Sequence, residues 1–237
     1  MDCRTLYLKR AALALAMLLT LFMAPARASD LDDFNTAVEA AMSHHRVAAG
    51  YLRNGNIDLA ALEIDSMREA WAKVSTLPRP AAFQNQERYT AIMLETAAGL
   101  IGTTLVLNMG RPDVAAESLD KIRKSLSGLR RENKATVLAD CVLDVNISMD
   151  ALFALDGKAD WESLSAGAES YRGTLHRCDG MASERIRGDS EFRRLIDGAL
   201  ASLAQVPKAI ETRDADLLHR LLIELRSFDN LLAFRFG

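Results

Sequence analysis

The chain has 237 residues, 49% of them hydrophobic, and its 29 Lys and Arg against 32 Asp and Glu leave a formal charge of −3. A mildly acidic chain without a basic block argues against nucleic acid and anionic membrane surfaces as partners. The length suffices for one large domain or two small ones with a sizeable core.

Residues 1–28 have the order of a secretory signal. Arg4, Lys9 and Arg10 form a basic start, Ala11–Met23 is apolar, Pro25 breaks the run, and Ala26-Arg27-Ala28 places small residues where a signal peptidase reads. Cleavage is expected after Ala28, giving a periplasmic or secreted protein. The apolar run of about 13 residues is short of the ~20 that a spanning helix needs, so no stable membrane span is expected after cleavage. Loss of Arg4, Lys9, Arg10, Arg27 and Asp2 takes the mature balance to 25 basic against 31 acidic residues, a charge of −6.

Beyond the signal the apolar residues recur every three or four positions, and no strand-like alternation persists. The first helix carries the stripe Leu31, Phe34, Val38, Ala41, His45, Ala48, Leu52 and stops at Asn54-Gly55-Asn56. Asp58 is read as the N-cap of a second helix running to about Val74. The same stop and start recurs at Asn108–Val114 and Leu155–Trp161, and more weakly at Glu211–Leu217. The aspartates involved, Asp58, Asp113, Asp160 and Asp216, lie 55, 47 and 56 residues apart. This predicts eight helices in four hairpins, grouped as two packed four-helix-bundle-like halves, 29–132 and 133–237, related by duplication at an offset near 102 residues. Leu77-Pro78-Arg79-Pro80 separates the first two hairpins, Arg131–Lys134 joins the halves, and Asp179–Asp189 forms a longer polar connection. Pro207 falls inside the seventh helix and should bend it near residue 203.

Cys141 and Cys178 are the even pair left in the mature chain. At ~1.5 Å per residue they reach similar heights on the third hairpin, opposite its turn, which predicts a disulfide rather than a redox pair. Met42, His44 and His45 are the candidate metal ligands. His45 lies on the apolar stripe with Met42 one turn before it, and imidazole and thioether suit copper or haem iron. The alternative for His45 is a core histidine bonded to a partner, with Met42 as core filler. His45 is expected to be buried and His44 more exposed. Motifs of the CxxCH, CxxC, HExxH and GxxxxGK[ST] types are absent, so no covalent c-type haem is expected. Phe228, Leu231, Leu232, Phe234 and Phe236 crowd the last helix, which should dock on its own bundle or on a partner.

In its exported array of helical hairpins the chain resembles the cytochrome b562 and cytochrome c′ group, a likeness of architecture covering both halves. The resemblance implies haem held by histidine, or by methionine and histidine. Here Met42 and His45 share one helix and cannot supply opposite axial ligands to one iron. The expected function is an exported, non-catalytic helical-bundle protein that binds a periplasmic partner or small ligand. The alternatives are a haem- or copper-binding redox protein using Met42 and His45, and an enzyme of unknown class, for which no nucleophile–base or acid–base pair is evident.

Overall fold

The computed structural model describes residues 26–237. The expected signal falls on residues 1–28, of which 1–25 lie outside the described residues. Among the described residues ten helices, not the expected eight, follow one another: α1 Ala26–Arg53, α2 Ile57–Val74, α3 Gln86–Asn108, α4 Pro112–Glu132, α5 Leu138–Phe153, α6 Trp161–Met181, α7 Glu184–Arg187, α8 Ser190–Leu203, α9 Val206–Glu211 and α10 Ala215–Phe236. Among the described residues there is no strand, so the protein is an all-α helical bundle.

The turns fall where the local sequence places them. Gly55, Gly110 and Gly157 take φ of 73°, 72° and 73°, and Arg213 takes 53° at the fourth turn. Glycine adopts this left-handed geometry without the Cβ clash that other residues meet. The aspartates need a correction. Asp160 is an N-cap, its carboxylate accepting from the Ser163 amide, but Asp58, Asp113 and Asp216 lie inside the first turns. Those helices begin earlier than their apolar periodicity suggests, with Asn56, Arg111 and Asp214 at the N-cap positions, of which the Asp214 side chain alone accepts a backbone amide, that of Leu217. The three carboxylates instead oppose the positive ends of the helix dipoles.

Proline accounts for the one interrupted long helix. α8 ends at Leu203 and α9 restarts at Val206, with Pro207 in its first turn, where a missing N–H costs nothing. The expected bend is therefore a break. The polar connection after α6 holds the short α7, capped by Ser183.

Two apolar cores result. Phe34, Ile64, Trp71, Ile92, Leu119 and Leu126 belong to the first, built by α1 to α4. Phe83 enters it from the α2–α3 loop, edge-on to Phe34 at 5.3 Å between ring centroids. Val142, Met149, Tyr171, Phe192, Leu195 and Leu225 belong to the second, built by the later helices. Among α1 to α4 each helix packs on the next, and α1 also packs on α4; in the later set α10 closes back onto α5. α8 and α10 approach at Gly198, where an added Cβ would lie 2.6 Å from the Phe228 ring.

Cys141 and Cys178 are disulfide-bonded, with Cα atoms 5.4 Å apart, and tie α5 to α6. The aromatic end of α10 divides its contacts. Leu232 is buried, Phe236 meets Phe192 edge-on at 5.1 Å, and Phe234 lies across Gly50 of α1. α3 has an outward stripe of Leu94, Ile101 and Leu105, all exposed, and is long and apolar enough to cross a membrane by composition, a feature the sequence reading passed over.

Candidate functional site

α1 carries two stripes. Phe34, Val38, Ala41 and Ala48 face its own core, while Asn35, Glu39, Met42, Ala49 and Arg53 turn toward the later helices. On α4, Ala116, Asp120, Arg123 and Arg130 do the same. Opposite them stand α5, the end of α10 and α7. These helices meet imperfectly, leaving a cleft of two adjoining cavities of about 570 Å³ and 230 Å³, with Arg123 lining both.

The larger cavity has an apolar wall of Val38, Met42, Leu138, Leu143 and Phe236. Four arginines also border it: Arg123, Arg130, Arg185 and Arg235. Arg130 is buried and forks onto Asp140, which is 1% exposed. Its Nε donates to Oδ2 at 2.8 Å and its Nη2 to Oδ1 at 2.5 Å. The Val137 amide adds a third donor to this carboxylate at 2.9 Å. Arg131 reinforces the joint by donating to the Asp140 carbonyl and to Asp144. Arg235 pairs with Glu191, and Glu39 with Arg46.

The smaller cavity is polar. Arg123 donates to Asn146 Oδ1 at 2.9 Å, Asn146 donates to Asp229 Oδ1 at 2.7 Å, and Arg226 bridges Asp229 and Asp150. Asp229 is 1% exposed, and burial pushes its pKa up to about 6 against the opposing pull of Asn146 and Arg226. Burial also lowers the Arg123 pKa, against the pull of Asp120, Asp229 and Asp150.

The three candidate metal ligands do not share a site. His45 is buried, as its stripe requires, and its Nε2 donates to the Leu119 carbonyl at 3.0 Å. Its Nδ1 is buried with no partner among the described residues. Burial holds its pKa down at about 4, against the Leu119 bond, with Arg123 and Arg46 also lowering it. His44 points elsewhere, its Nδ1 lying 2.7 Å from Glu63 on α2. Met42 lines the larger cavity and His45 the smaller. Among the described residues no three His, Cys, Asp or Glu side chains gather into a metal set. His176 is exposed, and His219 is exposed beside Asp156.

Sequence reasoning missed Arg130, Asp140 and Asp229. The signal was present for two of them. Arg130 continues the apolar stripe Leu119, Ile122, Leu126, and Asp229 interrupts Leu218, Leu222, Leu225, Leu232. A charge on a buried stripe must be paired, and the partner comes from a distant helix.

Asp229 and His45 make a testable pH signature. The folded chain keeps a proton on Asp229 up to about pH 6, whereas its ordinary value is 3.8, so this group's contribution is full below 3.8 and is lost as pH rises through 6. His45 runs oppositely: its contribution is full above 6.5 and is lost as pH falls through about 4. Each shift corresponds to about 3 kcal/mol, so the two slopes nearly cancel between pH 4 and 6. Asp229→Asn should therefore gain about 3 kcal/mol of stability as pH rises across that window, and His45→Gln should lose about as much. Urea unfolding at several pH values reads both slopes; parallel profiles for wild type and both variants would contradict the assignment.

The fold and cleft define an all-helical protein with a ligand-sized opening between two helical cores. No family model, no curated protein and no solved structure matches the chain.

Proposed function

We propose that the chain is an exported, non-catalytic helical-bundle protein whose two halves, 29–132 and 133–237, arose by duplication and hold a small ligand between them. The observation that carries the reading is the cleft of about 570 Å³, its lining mostly apolar with a few charged groups, within the ~300–1,000 Å³ range of small-molecule sites. Support for duplication comes from the turns, Gly55 to Gly157 and Gly110 to Arg213 repeating at nearly the same offset, and from two cores in which helices pack in the same circular order. Support for export is the leader-like order of residues 1–28 and a disulfide suited to an oxidising compartment. The non-catalytic reading rests on how the buried ionisable groups are used: Arg130 and Asp140 bond to one another across the joint, and Asp229 accepts from Asn146 within the later helices. His45, with a pKa near 4, is a poor general base at neutral pH.

Protein recovered from the periplasm, beginning at Ser29, should bind the neutral probe Nile red saturably and one to one. Leu143→Trp, which projects a larger ring into the cavity, should weaken that binding while leaving helical content unchanged. Unsaturable binding, or binding unaffected by Leu143→Trp, would overturn the cleft as the site.

A further inference from the structure

The charges around the larger cavity are unequally matched. Arg130 is held by Asp140, Arg235 by Glu191, and the acid Glu39 by Arg46. Arg123 is different. Its Nη2 meets a neutral acceptor, Asn146, and its nearest carboxylate, Asp120, stands 3.9 Å away and is itself held by Lys124 at 2.5 Å. The Arg123 Nε is buried without a partner among the described residues, although the side chain is only 16% exposed. A desolvated guanidinium with an unused donor is a group that an incoming anion stabilises. Arg185 adds an exposed second cation on α7, with no ion pair among the described residues, against the exposed Asp32. The wall away from these groups is Met42, Leu138, Leu143 and Phe236.

We propose that the ligand is an anionic amphiphile: an unbranched apolar chain ending in one carboxylate or phosphate group, its head on Arg123 and its chain against Met42, Leu143 and Phe236. This rests on the reading of the cleft as a binding site. The guanidinium fork matches either acid, because both present two oxygens in its plane. At roughly 30 Å³ per heavy-atom group, the cavity accommodates about 19 such groups, enough for a ten-carbon acid.

The test uses four probes of equal chain length, decanoate, decyl phosphate, decanol and decyltrimethylammonium, each displacing Nile red from the mature chain below its micellar concentration. Decanoate or decyl phosphate should bind at least tenfold more tightly than decanol, and the cation more weakly than decanol. The better of the two acids distinguishes a fatty-acid-like from a phospholipid-like ligand. Arg123→Met should remove the tenfold preference, so that the two acids bind no more tightly than decanol. In wild-type protein, the Arg123 Nε–H resonance should shift on adding the preferred acid, which places the head even if the variant does not fold. Equal affinities for all four probes, or an unmoved Arg123 resonance, would overturn the anion inference while the cleft stands. Failure of Nile red and of every probe to bind would overturn the cleft itself.

Discussion

Asp140→Ala should cost about 3–5 kcal/mol, the usual consequence of leaving a buried charge without its partner. Arg130 keeps only 5% of its surface exposed, and three contacts between its Nε and Nη2 atoms and the Asp140 oxygens satisfy it. Removing the carboxylate also strips the Val137 amide of its acceptor and loosens the start of α5. The effect lies in the unpaired ion, not in the net value of the pair. The double replacement Arg130→Met with Asp140→Leu should therefore recover most of the loss, because an apolar pair of similar volume has no desolvation cost. Urea unfolding of wild type, single and double variants gives the comparison. A single-variant loss below about 1 kcal/mol would show that water reaches the Arg130 guanidinium.

Cys141→Ala with Cys178→Ala should lower stability by about 3–4 kcal/mol. The bond joins residues 37 apart in sequence, and in the chain-entropy account a loop of that length constrains the unfolded chain by that amount. Both cysteines lie in the second core, Cys141 at 2% and Cys178 at 0% exposure, so alanine also leaves unfilled space there. Because α5 and α6 are already held at the Gly157 turn and by shared core residues, the variant should remain helical and unfold at lower urea. Circular dichroism with urea titration of the oxidised wild type and the double variant checks this. Equal midpoints would mean that the bond does not constrain the unfolded chain.

Features of the site divide according to the range of the interactions that make them. His45 was legible as buried because it shares a stripe with Phe34, Val38 and Ala41 on one helix. Its bond to the Leu119 carbonyl, 74 positions away, was not, since nothing local brings α1 against α4. The same holds for the placement of Met42 and His45 in different cavities: spacing on one helix gives direction, and only neighbouring helices decide what lies in that direction.

The sequence by itself determined the turns, the disulfide and a disturbance of the seventh helix at Pro207, which the structure shows as a break and not the expected bend. A left-handed glycine, two cysteines at matched heights and a proline without an N–H act through backbone geometry over a few residues or along one hairpin. Only the tertiary structure decided the Arg130–Asp140 pair, the raised pKa of Asp229, the lowered pKa of His45 and the cleft itself. Each depends on which distant helix excludes water from a given side chain, and a helix's own residue pattern marks the face to be covered without naming what covers it.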